Sequence, residues 1–489
     1  MQFLFQTDTS YILTRLLLQR GLALVYLIAF LVALRQFIPL LGEKGLLPVP
    51  LFLKRASFSE SPSLFFLGYS DSVALLVFWL GTGLSLLALT GISERFGLPV
   101  SMLTWAILWI LYLSIVNVGQ TWYAFGWETM LLEAGFLAIF LGSRDVAPPV
   151  IVIWLYRWML FRVILGAGLI KLRGDSCWRD LTCLNYHYET QPIPNPLSWF
   201  LHLSPEWNKK TGVFLTHVIQ LGSPWLYFIP VSIVSAIGGG LTIGHQLLIA
   251  LSGNLSFLNL LTIVIGFSTF DDRILGKILP PPIATLATSP PAFTFAVWGL
   301  LIGVLVLSIA PARNMLSSEQ VMNTSFEPLH LVNTYGAFGS ITRERYEIIL
   351  EGTDDRVITP ATAWKEYEFI AKPGSVARLP PIIAPWHLRL DWLMWFAAMS
   401  RAEYYPWIFN LVNHLLKNDP QTLSLMAGNP FPSQPPKFIR ASLYLYKFTT
   451  PEERRKTGNW WKRTYDGVYL PPLSLSDEAF RELLKEQGW

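Results

Sequence analysis

Along the first 310 positions, strongly apolar stretches with few or no charges recur at the length of roughly 20 residues that an α-helix needs to cross the hydrocarbon of a bilayer. Nine stand out: Gly21–Leu41, Leu64–Thr90, Leu98–Val116, Ala124–Leu141, Pro149–Ile170, Gly212–Ile229, Val231–Leu251, Leu255–Thr269 and Phe293–Ala310. After Pro311 the pattern changes, and charges come every few residues. Short alternating or β-rich runs at Tyr346–Gly352, Glu366–Ile370, Ile439–Phe448 and Trp460–Tyr469 predict strands, while Trp407–Lys417 and Asp477–Gln487 predict amphipathic helices. The pattern predicts a multi-pass α-helical membrane domain of about nine spans over residues 1–310, followed by a soluble α+β domain over 311–489. Between the fifth and sixth stretches lies a large loop, 171–211, longer and more polar than a turn between spans requires.

Arg15 and Arg20 precede the first span and place the N-terminus in the cytoplasm by the positive-inside rule, with Arg95 and Arg144 in the next cytoplasmic turns. An odd span count then puts the 171–211 loop and the domain after Pro311 together on the non-cytoplasmic side. The chain is 52% hydrophobic and only 14% charged, with a mean hydropathy of +0.41, which makes the bilayer its first partner. Its net charge of +4 is spread without a basic run, which excludes nucleic acid as a partner. Two cysteines exclude a disulfide-built scaffold and any four-cysteine zinc site.

Candidate chemistry gathers in two places. The loop KLRGDSCWRDLTCLNYHYETQPIPNP holds both cysteines, Cys177 and Cys183, among Asp175, Trp178, Arg179, Asp180, His187 and Glu189. Their spacing fits neither a thioredoxin C-x-x-C nor a zinc ribbon, and leaves open a structural disulfide, a redox-active or substrate-trapping pair, and free buried thiols. The second place is within the spans, where Glu128 and Glu133 lie on the stretch Ala124–Leu141 and Arg157 and Arg162 on the next, Pro149–Ile170. Charges at that depth cost several kcal/mol unless they pair or line a wet cavity. A five-residue separation sets the two members of each pair about 140° apart around a helix, so at least one partner must come from elsewhere. Ion pairs that set the packing and a polar intramembrane site are both compatible with this set. No HExxH, GxSxG, Walker loop or GxGxxG after a strand occurs, so no catalytic, cofactor-binding or metal-binding residue is assigned. Sequons begin at Asn254 and Asn323.

Several blocks resemble the lipase maturation factors: GDSCWRDLTCLNYHYETQPIPNPLSWFLH at 174–202, SGNLSFLNLLT at 252–262, EPLHLVNTYGAFGSIT at 327–342, HLRLDWLMWFAA at 387–398, and the late NWWKR and YLPPLSL. They run in order over nearly the whole chain. The resemblance implies a multi-pass protein of the endoplasmic reticulum membrane that helps secreted lipases fold and assemble into active dimers, with the loop and C-terminal domain in the lumen. Its partner is then an immature secreted lipase or another client protein. In a bacterium the same topology would face the periplasm from the inner membrane. The competing class is a membrane enzyme acting on lipid, quinone or thiol through the intramembrane Glu/Arg residues or the cysteine pair.

Overall fold

The computed structural model describes residues 11–280 and 286–489. In chain order its N-terminal part contains α1 (Ile12–Leu41), α2 (Asp71–Thr90), α3 (Leu98–Val118), α4 (Gly126–Ala138), α5 (Val150–Arg173), α6 (Leu184–Thr190), α7 (Pro196–His202), α8 (Glu206–Leu226), α9 (Ser232–Ser252), α10 (Leu258–Gly266) and α11 (Pro291–Leu316). Among the described residues six helices, α1, α2, α3, α5, α9 and α11, are long and apolar enough to cross a membrane. The count of nine spans is therefore not confirmed. The segments at Ala124–Leu141 and Leu255–Thr269 form helices too short to span alone, because α4 has 13 residues and α10 has 9. The segment at Gly212–Ile229 belongs to α8, which begins seven residues or so earlier in polar sequence (Glu206, Asn208, Lys209, Lys210) and carries His217 and Gln220 further on. With an odd count gone, the sidedness of the loop has to be argued from packing.

The helices differ in how much they bury. The most apolar window of α5 is 78% buried and that of α11 only 28%, so α5 is central and α11 peripheral. Large apolar side chains point outward on the peripheral helices, including Leu76 and Trp79 on α2 and Ile302 and Leu305 on α11, as lipid-facing positions do. The ends are set by local chemistry. The Ser70 hydroxyl accepts the Val73 N–H at the start of α2, and Gly91, at φ 74°, closes it in the left-handed conformation that glycine tolerates best. Close packing of α1 on α4 depends on Gly135, where an added Cβ would lie 1.8 Å from the Tyr26 hydroxyl.

The C-terminal part holds β1 (Arg345–Thr353), β2 (Lys365–Glu366), α12 (Arg389–Ala397), α13 (Trp407–Leu416), β3 (Phe438–Phe448), β4 (Trp461–Leu473) and α14 (Glu478–Gln487). Four antiparallel strands run in the order β2–β1–β3–β4, with Ile349 opposite Ser442 and Tyr446 opposite Arg463. β1 is almost wholly buried, whereas β4 is an exposed edge. Strand pairing in Glu366–Ile370 is shorter than the sequence suggests: only Lys365–Glu366 joins the sheet, and Phe369 forms an isolated bridge to Met426. The helix α12 was not legible as one, since its RLDWLMWFA is apolar and aromatic on more than one face.

The two parts share one hydrophobic core. Trp122 meets Trp407 at 4.9 Å between ring centroids, and Trp127 meets Trp392 at 5.1 Å. Asn254 ties them with four hydrogen bonds, donating to the carbonyls of Pro194 and Pro381 and accepting the N–H groups of Ile383 and Ala384. Its side chain is buried and spent, so this sequon is closed to glycans. We expect Gly135→Leu, which overpacks the α1–α4 contact, to cost at least about 1–3 kcal/mol and lower the melting temperature of the detergent-solubilised protein. Gly83→Leu on α2, where the added side chain meets open space, should leave the melting temperature unchanged.

Candidate functional site

Two buried ion pairs stand at the junction of the helices and the C-terminal part. Glu133 on α4 pairs with Arg162 on α5, both fully buried. The Glu133 carboxylate also accepts the Asn333 N–H at 3.0 Å and the Tyr335 hydroxyl at 2.7 Å, while the Arg162 guanidinium donates to the Asn333 carbonyl at 2.5 Å. Glu128, one turn and a half earlier on α4, faces Arg389 of α12 at 2.8 Å and accepts the Tyr112 hydroxyl. Arg389 in turn donates to the Trp122 carbonyl at 2.5 Å, lies 3.4 Å over the Tyr123 ring, and is held by its own N–H on Gln36 at 2.9 Å.

Among the described residues, Arg157 has no carboxylate partner. Its guanidinium donates to the Ser268 carbonyl at 2.8 Å, the Tyr227 carbonyl at 3.1 Å and the Tyr11 hydroxyl at 3.3 Å. Tyr227 caps α8 and Ser268 follows α10, so Arg157 neutralises the exposed carbonyls and negative dipole ends of two helices. The four intramembrane charges thus do not form one cluster. Helix rotation explains the split, because a single face of α4 cannot present both carboxylates to α5.

In the loop, Asp175 caps the single turn Ser176–Arg179 by accepting the Cys177 N–H, and Arg343 holds it from outside at 2.7 and 3.0 Å. The Arg343 hydrogen bond brings the Asp175 carboxyl down to about 2. Cys177 and Cys183 are joined in a disulfide with their Cα atoms 4.7 Å apart. The Trp178 indole donates to the Phe338 carbonyl at 2.8 Å, Arg179 covers the Leu172 and Gly174 carbonyls at the end of α5, and Asp180 is exposed. His187 lies edge-on to Phe338, and burial followed by the Lys171 charge brings its imidazole down to about 4. Glu189 is buried, accepts the Phe448 N–H at 2.7 Å and stands 3.7 Å from His202; burial raises its carboxyl.

These contacts place the loop against the C-terminal sheet. Arg345 donates to the carbonyls of Glu189, Gln191 and Pro192, pairs with Glu347 at 2.5 Å, and Glu347 also pairs with Lys372 at 2.8 Å. The Trp199 indole reaches the Thr449 carbonyl at 2.9 Å. Loop 171–211 and the residues after Pro311 therefore lie on one end of the helical bundle. Sequence reading missed Arg345, Glu347, Lys372 and Arg389. The alternation Arg345-x-Glu347 in a strand with no polar face was the available signal for the first two, since it points two charges at one buried side.

Under the loop lies a cavity of about 770 Å³, walled by α5, α8, α9 and α10 below and by the segment around Tyr335–Ser340 and α12 above. Of the loop residues singled out in the sequence, Trp178 and His187 line it; Asp175, Arg179, Asp180, Glu189 and the four buried charges Glu128, Glu133, Arg157 and Arg162 do not, while Asn323, which begins a sequon, does. The thiols are paired with each other and the Glu128 and Glu133 carboxylates are committed to arginines and hydroxyls, so neither set is an activated nucleophile.

Comparison with known proteins bears on the whole chain. The family model described as the lipase maturation factor transmembrane domain matches residues 13–277, and that of the lipase maturation factor C-terminal domain matches 331–471. Lipase maturation factor 1 of Bos taurus is 45% identical, over 96% of this chain and 90% of that protein. Lipase maturation factor 1 of Homo sapiens is 44% identical, over 98% and 91% respectively. Lipase maturation factor 2 of Homo sapiens is 29% identical, over 97% and 85%. No solved structure matches the chain.

Two outcomes follow from the site's electrostatics. Arg389→Met strands the Glu128 carboxylate in the core and should destabilise by about 3–5 kcal/mol, whereas Arg389→Met with Glu128→Leu removes both charges and should recover much of the loss. Thermal unfolding of the three proteins in one detergent checks this. His187, His202 and His330 are each held by burial at about 4, below the ordinary value of 6.5, so the unfolded chain binds more protons than the fold. Their stabilising share is complete above 6.5 and is lost as pH falls from there toward 4. His187→Gln should accordingly lose less melting temperature between pH 7 and pH 5 than the parent protein does.

Proposed function

The chain belongs to the lipase maturation factor family, and from that membership we propose that it holds immature secreted lipases at the luminal face of the endoplasmic reticulum membrane while they fold and assemble. It is a multi-pass membrane protein and a maturation factor rather than an enzyme. The observation that carries the reading is similarity above 40% identity across nearly the full length of both chains. A partly folded lipase exposes apolar surface and unassembled interfaces that aggregate unless held, so a membrane-tethered surface is a physically sufficient device.

The luminal assignment rests on the disulfide and the packing. A disulfide between Cys177 and Cys183 suits an oxidising compartment, and the loop that carries it is bonded to the C-terminal sheet, so both regions share that side. The domain from residue 311 onward is the client-binding body in this reading. Its exposed edge strand β4, 13 residues long, carries Tyr465 and Val468 outward and leaves backbone donors and acceptors free for a client segment.

Two measurements test this. Engineered glycan acceptors or cysteine tags in 204–208 and in 354–358 should report the same, non-cytoplasmic side, and opposite accessibility would refute the arrangement. In cells lacking their own factor, the protein should restore secretion of active lipase, while Tyr465→Lys with Val468→Lys should cut it at least about tenfold, the equivalent of 1.4 kcal/mol in client affinity. Full maturation by that variant, at equal expression and melting temperature, would move the client surface away from β4.

A further inference from the structure

The cavity beneath the loop is not explained by holding a protein client. It reaches down between α5, α8, α9 and α10, inside the helical bundle, and its volume of about 770 Å³ falls within the ~300–1,000 Å³ of sites for small molecules. Most of its wall is apolar, from side chains such as Val163, Ile164, Ile219 and Leu258. Leu215 on α8 and Leu248 on α9 both line the cavity and are 45% and 62% exposed, and we take its opening to lie between them.

At one place this wall turns polar. Lys171 is 4% exposed and donates to two carbonyls, of Ala167 at 3.1 Å and Ala337 at 2.9 Å, and lies 5.2 Å from the Trp178 ring. Among the described residues no carboxylate lies within ion-pairing distance of it. Among the described residues it is the buried cation that lines the cavity: Arg162, Arg345, Lys372 and Arg389 pair with glutamates, and Arg15 and Arg157 donate to backbone carbonyls elsewhere. Among the described residues, four buried polar atoms of side chains lining the same cavity have no partner: Gln220 Oε1, Asn259 Oδ1, His245 Nδ1 and Trp127 Nε1. Gln220 packs against Gly168, one residue from the carbonyl that Lys171 holds, so cation and free acceptor stand at one level of the bundle. Buried groups of this kind cost free energy unless something pairs with them.

We propose that this cavity is a lipid site that takes a single-chain amphiphile with an anionic headgroup, its anion on Lys171, its hydroxyls on Gln220 and Asn259, and its chain along the apolar wall toward the opening between Leu215 and Leu248. One chain fits the volume. The anion follows from the uncompensated ammonium, and hydroxyl donors follow from two carbonyl oxygens left without hydrogens to accept. Entry from the side needs no passage through water. A lysophospholipid supplies anion and hydroxyl together, and a fatty acid supplies the anion alone.

The test uses the full-length protein in detergent and a photoactivatable lysophosphatidate carrying a diazirine in its chain. Peptides from α5, α8 and α9 should be labelled, and Lys171→Met should reduce labelling at least about tenfold, as loss of a charge-assisted contact does. Leu248→Trp, at an exposed position where the fold is indifferent, should block the opening with an equal loss and an unchanged melting temperature. Unlabelled lysophosphatidate and oleate should both compete, and the better of the two identifies the headgroup source; neutral monoolein should compete at least about tenfold worse. Labelling confined to other helices, labelling insensitive to Leu248→Trp, or monoolein competing as well as the anions would overturn the proposal.

Discussion

A charge inside this bundle has to find its opposite, and the architecture is arranged around that requirement. Glu128 and Glu133 sit on α4, a helix too short to span alone and wrapped by α1, α3 and α5. One carboxylate is neutralised within the bundle, by Arg162, and the other from outside it, by Arg389 of the C-terminal part. Because an unpaired buried carboxylate costs several kcal/mol, losing Arg389 would strand Glu128, and the pair ties the correct docking of the two parts to that charge. The same logic recurs at Arg345, which threads its guanidinium into the loop's carbonyls while Glu347 and Lys372 balance it. Arg389 on Glu128 and Arg345 on the loop's carbonyls join segments that are far apart in sequence.

Such long-range links are what the sequence could not display. Periodicity revealed the apolar helices and the strands read at 346–352, 439–448 and 460–469, because those patterns are local; the last strand runs on to Leu473. It also placed charges at membrane depth. It did not reveal that Arg157 answers to the ends of α8 and α10, since a backbone carbonyl leaves no trace in residue type. Nor did it separate α4 and α10 from true spans, because an apolar run looks alike whether lipid or protein surrounds it. Arg389 was hidden for a third reason: it stands in an apolar, aromatic stretch where a single arginine reads as a surface residue, and only its position beside Tyr123 and Glu128 shows otherwise.

The loop around the cysteines illustrates how composition overstates chemistry. Asp175, Arg179 and Glu189 look like a reactive set, yet each is occupied with backbone: one caps a helical turn, one covers the end of α5, one receives the β3 strand through Phe448. What they create together is a rigid lid over the cavity, with Trp178 and His187 as its underside. The chemistry suited to a ligand lies beneath, on residues that are individually unremarkable in sequence, Lys171, Gln220 and Asn259.

The pairing of Glu128 with Arg389 has a consequence in time. Ribosomes make roughly 5–20 residues per second, and 267 positions separate Arg389 from the Trp122 carbonyl it clasps beside Glu128. For tens of seconds, therefore, a nascent chain carries α4 with a carboxylate whose counter-ion does not yet exist. Over that interval the half-made protein is itself a client, dependent on the insertion machinery to shelter a charged helix, and it becomes a self-sufficient membrane protein only as its last hundred residues emerge.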